Sequence, residues 1–243
     1  MRPEASFIWF DLGYTLLFKQ REAAYLKALQ GFGLDVPLET LEQEFHLVDK
    51  LFMKEHPGVF GKDPDTFMPW FLGLLNYRLG IRLKLCPLYA RFREEQNSYQ
   101  HTWLPYPHLP QVLGALKQRG LRLGIISNWD LSTRKLLDDY ALSGYFECLI
   151  ISAEVGYEKP DPRIFRLALR RAGVSAAQSL YVGDNFYCDA LGTRKVGMDC
   201  LIVNRFGALG VEEITGYPII RDISQVADYL DGKLAPETGE SLA

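Results

Sequence analysis

The chain alternates between two hydrophobic rhythms. Phe7-Ile8-Trp9-Phe10 is a short unbroken apolar run and reads as a strand buried on both faces. Leu121 to Ile126, Cys148 to Ile151, Ser179 to Val182 and Asp199 to Val203 repeat that signal later in the chain. Stretches of helical spacing separate them: Leu109 to Arg119 closed by Gly120, Leu131 to Tyr140, Asp161 to Ala172, and Tyr187 to Val196. Pro218 to Leu230 adds an edge strand and a closing helix. Such alternation builds a parallel sheet covered by helices, an α/β protein.

Between the first two strands the rhythm is helical throughout. From about Gln20, residues Ala23, Ala24, Leu26, Ala28 and Leu29 share a face that ends at Gly31 and Gly33, and Leu38 to Met53, Pro64 to Leu79 and Pro87 to Tyr99 follow the same pattern. Four helices with short links predict an inserted four-helix bundle. Its aromatics, Phe45, Phe52, Phe67, Trp70, Phe71 and Tyr77, read as its core. Pro105 and Pro107 hold the return segment extended. The expected division is therefore a sheet core from 1–18 and 101–231, a helical insert from 19–100, and a loose tail from 232–243.

Composition narrows the function classes. With 48% apolar and 23% charged residues the chain reads as an ordinary globular protein. A net charge of −3 with no Lys/Arg block argues against nucleic acid as a partner. Without a run of some 18 apolar residues, no membrane partner is expected. Cys86, Cys148, Cys188 and Cys200 lack Cys-x-x-Cys spacing, so reduced thiols in a cytoplasmic, untargeted protein are the simplest account.

Four stretches carry candidate chemistry. Asp11 follows the first strand, at the carboxyl edge where open α/β sheets bind ligands. Ser127-Asn128 ends the second strand with a hydroxyl and an amide, suited to an anion although such pairs are more often turns or caps. Lys159 precedes a proline that starts a helix, and its ammonium could neutralise a dianion; a surface lysine is the plainer reading. Asp184 and Asp189 follow another apolar strand, and acids gathered near a third one call for a hard divalent cation.

The ordered set Asp11…Thr15, Ser127, Lys159 and Asp184…Asp189, with a helical insert between the first two, resembles the haloacid dehalogenase superfamily of hydrolases over about Phe7 to Val203. The resemblance implies a Rossmann-like core with a helical (C1-type) cap. It also implies Mg²⁺-dependent phosphoryl transfer from a small phosphorylated metabolite through an aspartyl-phosphate, by a monomer or homodimer. Asp11 would be the nucleophile, supported by Lys159, with Ser127, Asn128 and Thr15 on the substrate and phosphate. Asp11, Gly13 and Asp184 would hold the metal, and Asp189 would sit in its second shell.

One position departs from that pattern. Phosphatases of the superfamily carry a second Asp two residues after the nucleophile, and here the residue is Gly13; Tyr14 replaces the glycine usual at the next position. A glycine still offers its main-chain carbonyl to a metal, but the general acid is missing. The resemblance then implies slow turnover of phosphate monoesters, or a leaving group needing no proton, such as an acyl phosphate. The competing readings are a metal-free 2-haloacid dehalogenase and a phospho-ligand or protein-binding relative with impaired catalysis. Against the dehalogenase stand the retained Asp184 and the lack of any Arg between Arg21 and Arg78, where those enzymes carry a halide-binding arginine. Lys19 and Arg21 could form a basic rim, though exposed hinge charges are the plainer reading.

Overall fold

The computed structural model describes residues 5–99 and 103–233. Residues 1–4, the expected crossing at 100–101 and the expected tail from 234 onward lie outside the described residues. By contacts the chain divides into a unit of 1–18 with 105–243 and a unit of 19–104.

The first unit is built on a six-stranded parallel sheet. In chain order its strands are β1 (Phe7–Phe10), β4 (Arg122–Ser127), β5 (Cys148–Ile151), β6 (Ser179–Gly183), β7 (Asp199–Val203) and β8 (Ile219–Ile220). Two short strands, β2 (Leu17–Phe18) and β3 (Leu104–Pro105), pair separately where the chain leaves and re-enters this unit. The sheet order β5-β4-β1-β6-β7-β8 puts β1 at an inner position, which explains why all four of its residues are buried. Helices α5 (Leu109–Gln118), α6 (Thr133–Asp139), α7 (Ser152–Val155), α8 (Pro162–Ala172) and α9 (Ala190–Arg194) lie in the connections, and α10 (Val226–Leu230) follows the last strand. Ile164, Phe165, Ala168 and Ala172 of α8 join Phe7, Trp9, Ile126, Ile150 and Tyr181 in one apolar core. Gly124 is required there: a Cβ would fall 2.6 Å from the Trp9 ring, which stacks on Phe7 at 4.3 Å.

The register decides which residues meet at the carboxyl edge. Phe10 lies opposite both Ile125 of β4 and Val182 of β6. Asp11, Ser127 and Asp184 thus leave the sheet within one residue of the same level.

The helical unit comprises α1 (Arg21–Gln30), α2 (Leu38–Glu55), α3 (Pro64–Arg78) and α4 (Leu85–Asn97). Its core gathers Tyr25, Phe45, Phe52, Phe71 and Phe92, with Tyr25 edge-on to Phe45 and Phe92. Two aromatics expected in this core are outside it, since Trp70 is 50% and Tyr77 83% exposed. They sit on the outward side of a helix so apolar that composition alone could not orient it. Arg21 is no exposed hinge charge: its side chain is 11% exposed, makes a two-point pair with Asp49 and lies 5.0 Å from the Phe45 ring centre.

Several helix boundaries differ from expectation by two or three residues, and at two helix starts the local cause is visible. α4 begins two residues before Pro87, because a proline in the first turn gives up no intrahelical hydrogen bond. The helix expected from Tyr187 begins at Ala190, because Asn185 first closes a turn, its side chain accepting from Cys188 N–H and its carbonyl from Asp189 N–H. Among the described residues no helix is long and apolar enough to cross a membrane.

Candidate active site

The loop after β1 is held by its own main chain. The Asp11 N–H donates to the Val182 carbonyl, extending the strand pairing by one residue. The Leu12 carbonyl then accepts from both Leu16 N–H and Leu17 N–H, while Tyr14 takes a left-handed φ of 55°. Among the described residues the Gly13 carbonyl accepts no hydrogen bond, so its oxygen is uncommitted. Thr15 is buried, and among the described residues its hydroxyl has no hydrogen-bond partner.

Asp11 is 9% exposed and its two oxygens are treated unequally. Oδ1 accepts from the Ser127 hydroxyl at 2.9 Å and from the Lys159 ammonium at 2.8 Å, whereas Oδ2 accepts from no described residue. One oxygen is fixed and the other is left for an electrophile or a cation. Lys159 is 5% exposed, so it is not the surface lysine that its neighbours in sequence suggest. Its three N–H groups go to Asp11, to Asp189 Oδ1 at 2.6 Å and to the Tyr181 hydroxyl at 2.8 Å. Burial works against its charge, but Asp11 and Asp189 outweigh that and hold the ammonium above the ordinary lysine value. It remains protonated.

Asp189 is fully buried, with Oδ1 on Lys159 and Oδ2 accepting from Asn185 N–H at 3.1 Å. Burial raises its carboxyl above the usual range, against the pull of Lys159. Next to it, burial and the Asp189 charge push the Cys188 thiol up to about 12, so this cysteine is not a reactive thiolate. Gly183 makes the arrangement possible, because a Cβ there would lie 2.2 Å from Asp189 Oδ2.

Asp11, Asp184 and Asp189 each bring a carboxylate oxygen within 4.8 Å of the others. Three hard oxygen donors at that spacing suit a Mg²⁺-type cation, and the uncommitted Gly13 carbonyl is of the same chemical kind. Asn128 plays a different part from Ser127. Its side-chain amide donates to the Lys159 carbonyl at 2.9 Å and accepts from the Lys159 N–H at 2.7 Å, fixing the peptide that carries the lysine.

Tyr181 and Asn185 belong to the same network and were not legible beforehand. Tyr181 stands inside the apolar strand Leu180-Tyr181-Val182, where a tyrosine signals only core packing. Asn185 contributes mainly through its backbone, which carries no sequence signal.

A family model for haloacid dehalogenase-like hydrolases matches residues 10–197. The chain belongs to this family. Among curated haloacid dehalogenase-like hydrolases it is similar to haloacid dehalogenase-like hydrolase domain-containing protein 3 of Homo sapiens, with 30% identity over 91% of this chain and 88% of that one. It is also similar to the glyceraldehyde 3-phosphate phosphatase of Pyrococcus abyssi, with 34% identity over 79% and 78% of the two chains. Among solved structures it resembles the magnesium-bound HAD-hydrolase YfnB of Bacillus subtilis, with a TM-score of 0.62, 20% identity and coverage of 93% and 99%. That likeness bears on the fold of the haloacid dehalogenase-like core, a parallel six-stranded sheet with its helices.

Proposed function

We propose that this haloacid dehalogenase-like hydrolase is a Mg²⁺-dependent phosphatase acting on a small phosphorylated metabolite through Asp11. The observation that carries the reading is the asymmetry of Asp11 inside an acidic cluster: Oδ1 is engaged by Ser127 and Lys159, Oδ2 accepts from no described residue, and one oxygen of this carboxylate lies within 4.8 Å of an oxygen of Asp184 and of Asp189. The phosphatase relatives support the substrate class.

Asp11 Oδ2 attacks phosphorus, a P–O bond forms, and the bond to the leaving oxygen breaks. The resulting aspartyl phosphate is a mixed anhydride, which water cleaves to inorganic phosphate and the free carboxylate. Ser127 and Lys159 hold Asp11 in place through its Oδ1, and the positive charge of Lys159 also stabilises the charge that develops on the phosphoryl oxygens. A magnesium ion held by Asp11, Asp184 and the Gly13 carbonyl would neutralise the carboxylates and the incoming dianion together. Asp189 supports the site through Lys159, since both its oxygens are already bonded. Gly13 offers no proton to the leaving oxygen, a loss of about 10²–10⁴-fold for alkyl esters. Acyl phosphates, whose leaving group is a stable carboxylate, escape that loss.

The test is hydrolysis of a panel of phosphoesters and of acetyl phosphate, with Mg²⁺ and with EDTA, beside Gly13→Asp. Mg²⁺-dependent turnover, fastest on acetyl phosphate, with monoester activity raised by Gly13→Asp, is expected. If neither protein turns over any substrate and neither binds Mg²⁺, the phosphatase reading is wrong. Halide release from 2-chloropropionate in EDTA would select the dehalogenase instead.

A further inference from the structure

We infer that Tyr181 is a positioning residue that fixes the Lys159 ammonium against Asp11 by supplying its third hydrogen-bond acceptor. The inference deepens the phosphatase reading and rests on it for its kinetic consequence.

An ammonium has three N–H bonds, and a fully buried one must satisfy all three inside the protein. Two of the Lys159 acceptors are the charged oxygens of Asp11 and Asp189, at 2.8 and 2.6 Å. The third is the neutral hydroxyl of Tyr181, at 2.8 Å. That hydroxyl is itself polarised in one direction. It donates its only hydrogen to the main-chain carbonyl of Ile126, at 2.8 Å, so toward Lys159 it can only accept. Burial holds the phenol well above its ordinary pKa, which keeps that hydrogen in place.

The anchor is rigid for reasons readable in the strands. Ile126 lies on β4 immediately before Ser127, and Tyr181 lies on β6 two residues before Gly183. Residues 181 and 183 point to the same face of β6. Because Gly183 has no side chain, the Tyr181 ring and the Asp189 carboxylate share the space above it; a Cβ there would fall 2.9 Å from the one and 2.2 Å from the other. The far side of the ring packs edge-on against Phe165 of α8, with centres 5.7 Å apart. The tyrosine thereby ties the lysine to both strands that flank β1.

Removing the hydroxyl leaves the third N–H without a partner. The ammonium then gains by turning toward the two carboxylates, which displaces the proton that holds Asp11 Oδ1. A shift of this kind alters the attack geometry of Asp11 and leaves the binding of substrate to other groups unchanged.

The experiment compares the wild-type chain with Tyr181→Phe by steady-state kinetics on the best substrate of the panel, and by ¹⁵N-detected NMR of the lysine ammonium groups. The Lys159 signal is assigned by its loss in Lys159→Met. Tyr181→Phe is expected to keep KM within about twofold while kcat falls about 10- to 100-fold, and to shift the Lys159 ammonium signal or speed its exchange with water. Val226→Ala, a core truncation on α10, controls for lost packing and should leave kcat unchanged. A kcat within twofold of wild type, or an unmoved Lys159 signal, overturns the inference. Should the wild-type chain hydrolyse nothing, the phosphatase reading fails, while the ammonium signal still decides whether Tyr181 positions Lys159. If Tyr181→Phe does not fold, the same signal in wild-type protein decides, since an ammonium exchanging freely with water is incompatible with three fixed partners.

Discussion

Replacing Lys159 with methionine probes the balance of charge on which the site depends. Methionine fills much of the same volume without the ammonium, so the perturbation is mainly electrostatic. It leaves the Asp11 and Asp189 carboxylates, with oxygens no more than 4.8 Å apart, facing each other in a largely buried place. At an effective dielectric of about 20, two unit charges at that separation repel by about 3–4 kcal/mol. Removing one member of a buried pair typically costs about 3–5 kcal/mol, so the two routes agree.

The cost should depend on pH. Burial already raises the Asp189 carboxyl, with Lys159 opposing, and without the lysine it rises further. A carboxyl whose folded-state pKa exceeds its unfolded value favours the folded state when protonated, and that contribution is lost as pH rises through the folded pKa. The variant's deficit should therefore be smallest near about pH 5 and largest near about pH 8. Urea unfolding of both proteins in EDTA at the two pH values measures this. A deficit under about 1 kcal/mol at the higher pH, or one that does not change between them, would refute the placement of Lys159 as the charge that holds the acids together.

Other outcomes follow from single contacts. Gly183→Ala forces Asp189 away from Lys159 because the new Cβ starts 2.2 Å from its oxygen, and should lower kcat by about 100-fold with a loss of about 1–3 kcal/mol, read by kinetics and unfolding. Mg²⁺ at about 100 times its Kd should stabilise the wild-type chain by about 2.7 kcal/mol, and Asp184→Asn should lose most of that increment in thermal melts. Away from the site, exposed Ala141 sits at φ 54° just after α6, where its N–H donates to the Asp138 carbonyl and the Leu142 N–H to the Leu137 carbonyl. Ala141→Gly should relieve about 1 kcal/mol of backbone strain and raise Tm by about 2–4 °C, with no effect on turnover.

Much of the molecule was legible in its sequence because the signals are local. Strands buried on both faces show as apolar runs, so β1, β4, β5, β6 and β7 could be placed to within a residue or so. The helical insert showed through its 3.6-residue spacing, and the acids at strand ends through their position after those runs. Errors fell where a local rule has two outcomes. Trp70 and Tyr77 lie on a helix apolar enough to face either way, and Arg21 could be an exposed charge or a paired one until Asp49, 28 residues away, closed on it.

Local sequence signals were enough to establish that acids and a serine would come from the ends of parallel strands and a lysine from just before a helix. Only the tertiary structure decided which atoms meet. The pairing of β1 with both β4 and β6 sets the level of Asp11, Ser127 and Asp184, and no single strand encodes its own register. The choice of Asp11 Oδ1 over Oδ2, and the recruitment of Tyr181 to a buried ammonium, arise because a charge removed from water must find every partner within reach. Those partners belong to whichever segments packing brings together.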